Sequence, residues 1–185
     1  MNLQVLNLKK IIVRDFDFNF PVLKILRWNG VLYKNRKSLD MGWTSRTKLP
    51  FFHCLTCIMV IFTDVFLEEN LMWLLELLEH CPKLQNFIIQ DCLDRYDNEE
   101  VAKDWKNPPI VPQCLSSQLK TFVLIDYKDK KSEFQFVTYI MENSKVLQTM
   151  AIKSTGFAKR YAKNQMLMKL SSSTMGPTTC KLLFC

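Results

Sequence analysis

One pattern constrains this chain more than any other. A leucine, two residues, an apolar residue, one residue and a second apolar residue recur six times. The copies are Leu3/Leu6/Leu8, Leu23/Leu26/Trp28, Leu55/Ile58/Val60, Leu84/Phe87/Ile89, Leu119/Phe122/Leu124 and Leu147/Met150/Ile152. Apolar residues two apart lie on the same side of a strand, and the leading leucine turns the incoming chain onto the core. A unit this small cannot hide its own apolar side, so neighbouring units must share one. Each then gives one strand to a parallel sheet. Parallel neighbours need a crossover of about a dozen residues, usually helical.

The copies start 20, 32, 29, 35 and 28 residues apart, which brackets and slightly exceeds the period of leucine-rich repeats, about 20 to 29. Helical return legs stand where the pattern needs them. NLMWLLELLEH puts Leu71, Leu74, Leu75 and Leu78 on one face, leaves Glu76 and Glu79 to water, and stops at Pro82. SEFQFVTYIMENS puts Phe136, Tyr139, Ile140 and Asn143 at helical spacing, with Ser132 as N-cap. A third helix is expected in YAKNQMLMKLSS, and Cys180, Leu182 and Phe184 alternate as a closing strand does. Cys92 completes the repeat template after Leu84, Phe87 and Ile89, which predicts a buried turn position. The fold class is therefore α/β, a short leucine-rich-repeat-type solenoid with parallel strands and helical return legs.

Residues 91–114 depart from the pattern. They begin acidic, with Asp91, Asp94, Asp97, Glu99 and Glu100, and end with Trp105, Pro108, Pro109 and Pro112. A connection this long is functional or marks a domain junction. Trp105 is either a cap on the apolar end of the sheet or an anchor for a partner.

Several function classes lose support. The start, MNLQVLNLKKIIVRDF, mixes charges into its apolar positions and does not read as a secretory signal. The most apolar run, Cys54 to Phe62, is too short for a membrane helix. Seven cysteines without an export signal read as reduced thiols, which points to the cytoplasm or nucleus. A zinc site would draw on His53, Cys54, Cys57, His80 and Cys81, but no second C-x-x-C follows HCLTC. The four glycines, Gly30, Gly42, Gly156 and Gly176, form no phosphate-cradling loop, and no nucleophile motif is present. No catalytic, cofactor-binding or metal-binding residue is assigned, no cofactor is expected, and the chain is read as a non-enzyme. The net charge of +7 resides in the first 50 residues, with ten Lys or Arg against three Asp. These cations are dispersed, so nucleic-acid binding is the lesser alternative.

From Trp105 onward the sequence resembles the plant FBD domain, found at the C-terminal end of many F-box proteins with leucine-rich repeats. The residues that carry the resemblance run from Trp105 through Pro108, Pro109, Val111, Pro112, Cys114, Leu115, Ser117, Leu119 and Lys120 to Phe122. They continue with Tyr127, Glu133, Tyr139, Ile140, Asn143, Leu147, Met150 and Ile152, and close with Met166, Leu167, Leu170, Cys180, Leu182 and Phe184. The resemblance implies two parts, a leucine-rich-repeat-like segment over residues 1–92 that is N-terminally incomplete and an FBD-type α/β cap over 103–185. In that family an F-box grips the adaptor of a ubiquitin ligase while the repeats and FBD domain present a substrate. The first repeat here begins at Leu3, so an F-box is not expected within these residues. The expected function is protein–protein interaction, the substrate-recognition part of such a receptor, with an unidentified protein partner, no direct adaptor binding and no membrane. The alternative is a truncated or degenerate relative without independent activity.

Overall fold

The structure is a computed structural model that describes residues 4–9, 22–29, 49–63, 67–92, 108–128, 130–154, 164, 168–170, 172, 177 and 180–184. Each of the six repeated motifs supplies a strand: β1 (Val5–Lys9), β2 (Ile25–Asn29), β3 (Cys57–Phe62), β4 (Asn86–Asp91), β5 (Thr121–Tyr127) and β6 (Thr149–Ser154). The terminal β7 (Lys181–Phe184) adds a seventh. They form one parallel sheet whose spatial order is their sequence order, β1 through β7. Between them run α1 (Leu67–Glu79), the short α2 (Gln113–Ser117) and α3 (Lys131–Asn143). This is an α/β protein built on a seven-stranded parallel sheet.

The same backbone geometry returns at each turn. The carbonyl of the residue just before each of β1 to β5 accepts two N–H groups from the start of the next strand. Gln4 takes Lys24 and Ile25, Lys24 takes Thr56 and Cys57, and Thr56 takes Gln85 and Asn86, all at 2.9 to 3.1 Å. Gln85 takes Lys120 and Thr121, and Lys120 takes Gln148 and Thr149, at 2.8 to 3.0 Å. Thr56 adds its hydroxyl, which donates to the Lys24 carbonyl at 3.2 Å. Parallel ladders slant and leave their ends ragged. The doubled acceptor closes those ends and sets the register, Ile25 opposite Cys57, Asn86, Thr121 and Thr149 in turn.

With that register fixed, equivalent apolar residues stack. The leading leucines Leu23, Leu55, Leu84, Leu119 and Leu147 are completely buried. So are Ile58, Phe87, Phe122 and Met150 at the first strand position, with Val60, Ile89, Leu124 and Ile152 buried two residues on. The helices close over this side, α1 through Leu71, Leu74, Leu75 and Leu78 and α3 through Phe136, Tyr139 and Ile140. Edge contacts between Trp28 and Trp73 (4.7 Å between rings) and between Phe122 and Phe136 (6.2 Å) tie strands to helices. Pairs of this kind contribute about 0.5–1.5 kcal/mol beyond their burial.

Helix boundaries follow local chemistry. In α1, Glu79 is exposed, whereas Glu76 is only partly so, and burial, then the charge of Glu79, raise the Glu76 carboxyl above its usual range. The N-cap of α3 is Lys130 rather than the expected Ser132. Glu133 explains the shift: its Oε2 accepts the N–H groups of Lys128 (2.9 Å) and Lys130 (3.3 Å), two residues upstream of where Ser132 would act. The Asn143 side chain donates to the Tyr139 carbonyl (2.8 Å) in the last turn. Of the third expected helix, Asn164, residues 168–170 and Ser172 are helical, and Leu170 is buried. Leu3 lies outside the described residues, while Leu6 packs partly buried against the core.

Cys92 corrects one expectation, since it is exposed rather than buried. β4 extends to Asp91 and its alternation buries Phe87, Ile89 and Asp91. Position 92 therefore falls on the opposite parity, where a repeat that turned earlier would have brought it inward.

The stacked leucines should be as sensitive as any core site. Leu84→Ala should lower the unfolding free energy by about 2–5 kcal/mol, read as a lower urea midpoint, whereas Met72→Ala on the exposed side of α1 should change it by less than about 1 kcal/mol.

Candidate interaction surface

The helices cover one face of the sheet, and the described residues place no element over the other. Its side chains alternate with the core residues along each strand. In register across the middle run Asn7, Arg27, Met59, Ile88, Val123, Ala151 and Leu183. On the N-terminal side of that row lie Ile25, Cys57, Asn86, Thr121, Thr149 and Lys181, and on the C-terminal side Asn29, Ile61, Gln90, Ile125 and Lys153. The centre is thus aliphatic across β3 to β6. Most of these side chains are partly exposed; Ala151, the smallest, is buried and Leu183 is 36% exposed.

This is an uneconomical surface to leave in water. An antiparallel or parallel sheet with one wet face normally alternates apolar and polar residues, whereas near-continuous apolar strands belong to sheets covered on both sides. CIMVIF, NFIIQD and TFVLIDY are of the second kind. Cations border the aliphatic centre. Arg27 stands on β2, Lys153 on β6 and Lys181 on β7, all exposed. Arg27 reaches its neighbour: burial raises the Cys57 thiol above its ordinary range and the Arg27 charge pulls it partly back.

Where β4 and β5 end, three ionisable groups are enclosed together. Lys128 Nζ pairs with Asp91 Oδ2 at 2.5 Å, the side chains 7% and 3% exposed. Glu133 sits beside them, 1% exposed, and its Oε1 has no hydrogen-bond partner among the described residues. Burial pushes the Glu133 carboxyl up to about 7; the N–H groups of Lys128 and Lys130 draw it down, Asp91 raises it, and the Lys128 charge lowers it. A bulge shapes the same corner. Register slips between Ile125 and Tyr127, leaving Asp126 at φ 66°. Tyr127 is thereby returned to the core, fully buried, while Asp126 Oδ2 accepts from Gln90 Nε2 at 3.3 Å. Asp91, read from sequence as part of an acidic loop, is instead a buried strand residue.

The residues weighed for metal or thiol chemistry are dispersed. Cys57 is on the face that no described element covers, Cys81 is buried two residues past the end of α1, and His53 is exposed. His53 and His80 each meet the ring of Phe51, at 5.8 and 4.6 Å, not each other's nitrogens. Burial lowers the His80 pKa. Burial raises Cys114 to about 12, and its thiol donates to the Leu78 carbonyl. Among the described residues no three His, Cys, Asp or Glu side chains come together as metal ligands, and no helix is long and apolar enough to cross a membrane. Trp105, Gly30, Gly42, Gly156, Gly176 and most of the basic first 50 residues lie outside the described residues.

The chain is an α/β protein whose seven parallel strands follow one another in sequence order, with an aliphatic row on the face that no described element covers. The comparisons with known proteins refine this. The FBD family model matches residues 107–152. A putative FBD-associated F-box protein of Arabidopsis thaliana is 36% identical over 62% of this chain and 30% of its own length. A second FBD-associated F-box protein of that plant is 29% identical over 92% of the chain and 47% of its own length. An Arabidopsis F-box/FBD/LRR-repeat protein is 36% identical over 58% and 22%. The chain is thus similar to plant F-box/FBD proteins, with an FBD-type region at residues 107–152, and it spans less than half the length of these relatives. No solved structure matches it.

Sequence reasoning followed the inward residues of each strand and passed over the outward ones. The signal was there, in apolar residues at consecutive rather than alternate positions. The Asp91–Lys128–Glu133 group had no signal, because its members are 37 and 5 residues apart in sequence.

The buried carboxyl gives a pH test. A folded-state pKa raised from 4.5 to about 7 means the protonated form is the one the fold prefers. That stabilisation is fully present below pH 4.5 and is lost as the pH rises through about 7. In Glu133→Gln the amide oxygen keeps both N–H donors and carries no charge. The unfolding free energy of the variant relative to wild type should therefore improve by about 2–3 kcal/mol between about pH 4.5 and pH 8, measured by urea denaturation; a difference independent of pH would show that the carboxyl does not titrate in this range.

Proposed function

We propose that this chain is a non-enzymatic protein-interaction module, a short leucine-rich-repeat-type solenoid ending in an FBD-type cap, with residues 1–92 as the repeat segment and 103–185 as the FBD region. The recurring doubled carbonyl and the column of buried leucines support the solenoid reading, because each turn repeats the last in both backbone and core. One observation carries the functional reading: a row of aliphatic side chains, Met59, Ile88 and Val123, held at strand spacing on the face that no described element covers. An uncovered apolar strip framed by polar and charged residues is what protein interfaces look like before they are occupied.

By resemblance, the module is the substrate-side part of an F-box-type ubiquitin-ligase receptor, acting in the cytoplasm or nucleus. F-box proteins are the relatives it matches, and nothing in the arrangement of its thiols and imidazoles requires a reaction. Chemistry would need an oriented base beside a nucleophile, whereas Cys81 and Cys114 are both enclosed and held as thiols.

The reading is tested by affinity capture from plant extract with the wild-type chain and with Met59→Glu/Val123→Glu. The wild type should retain a discrete protein that the double variant loses by about tenfold or more, a difference of about 1.4 kcal/mol or greater, while the two share a melting temperature within a few degrees. Equal capture by both, or none by the wild type, would overturn it.

A further inference from the structure

We propose that the sheet face over which the described residues place no element takes a protein segment with an apolar centre and carboxylates at both ends; this rests on the interaction reading above and names the partner's chemistry. The argument is one of complementarity. Neighbouring strands are about 4.8 Å apart, so the aliphatic centre, from Met59 on β3 through Ile88 and Val123 to Ala151 on β6, spans roughly 14 Å. Beyond it on one side stands Arg27, in register with Met59. At the other margin stand Lys153, on β6 itself and in register with Ile125, and Lys181, on β7 and in register with Thr149. All three are exposed.

Against these the described strands set one partly exposed carboxylate on this side, Asp126, and it is engaged by Gln90 at 3.3 Å. The other acidic groups at that end, Asp91 and Glu133, are buried on the helix side of the sheet. The face is therefore apolar in the middle and positive at both margins. A partner with cationic ends would meet like charge at each, and a wholly apolar one would leave Arg27 and Lys153 desolvated without counter-charge.

Nucleic acid fits less well. A phosphate backbone is gripped by closely spaced cations, and unpaired bases stack on aromatic rings. Here the cations are separated by the width of the aliphatic centre, and that centre contains no aromatic residue.

The test is selection of random 16-residue displayed peptides on the full chain, followed by binding of the recovered sequences as synthetic peptides. Recovered peptides should carry three or more apolar residues centrally with Asp or Glu toward both ends. Their affinity should fall about tenfold in Arg27→Glu/Lys153→Glu, whose substituted side chains are exposed, and should fall again when salt is raised from about 0.05 to 0.5 M. Val123→Glu should abolish binding, and both variants should melt with the wild type. Peptides without an acidic bias, or unaffected by the charge reversal, would overturn this inference while leaving the interaction reading intact. Failure to recover any peptide would count against both. Two further results would overturn it: a dimer in sedimentation that Val123→Glu dissociates, or a single-stranded oligouridine bound by wild type and lost on charge reversal.

Discussion

One backbone oxygen at the entrance to each of the first five strands accepts two amides from the following turn, and the rest of the molecule is arranged around that repeated contact. A parallel sheet built strand after strand has no hairpins to set its register, and a slip by one residue would turn every core side chain to the other face. The oxygens of Gln4, Lys24, Thr56, Gln85 and Lys120 prevent that slip at five successive junctions. Because they do, five leucines fall into one column and the apolar positions behind them into two more. The hydrophobic contribution is then collective. Each fully buried Leu or Phe is worth about 1.5–3 kcal/mol, but only because the neighbouring turn supplies the other wall.

This construction leaves one face of the sheet without a described role in folding. Crossovers of one hand put their helices on one side of a parallel sheet, and α1 and α3 both pack there. What lies on the other side is free to be chosen for other reasons, and the residues found there are not the polar ones that solvent alone would favour. Met59, Ile88, Val123 and Ile125 follow one another across adjacent strands with cations at the margins. The physical cost of that arrangement in water is the reason for reading the face as an interface.

The corner formed by Asp91, Lys128 and Glu133 shows the opposite economy. Two carboxyls and one ammonium are enclosed where β4 and β5 end and α3 begins. Such a group contributes little net stability when complete and costs several kcal/mol when one member is removed. Its effect is positional: Glu133 holds the backbone of Lys128 and Lys130, the bulge at Asp126 returns Tyr127 to the core, and the first turn of α3 is set by both. The region matched by the FBD model, residues 107–152, contains Tyr127, Lys128 and Glu133.

The sequence by itself determined the parts whose physics is local or periodic. The six strands, the two main return helices and the closing strand were all legible, because spacing of two along a strand and of three or four along a helix records which side is buried. It did not determine the α3 cap, the exposure of Cys92 or the enclosure of Asp91. Each depended on where a neighbouring strand stopped, and strand ends are decided by the pairing partner rather than by the residues themselves. Only the tertiary structure could bring Asp91 to Lys128 across 37 positions or align Met59 with Ile88 and Val123 as a surface. A one-dimensional pattern lists what each strand carries outward; the register between strands decides which of those side chains become neighbours.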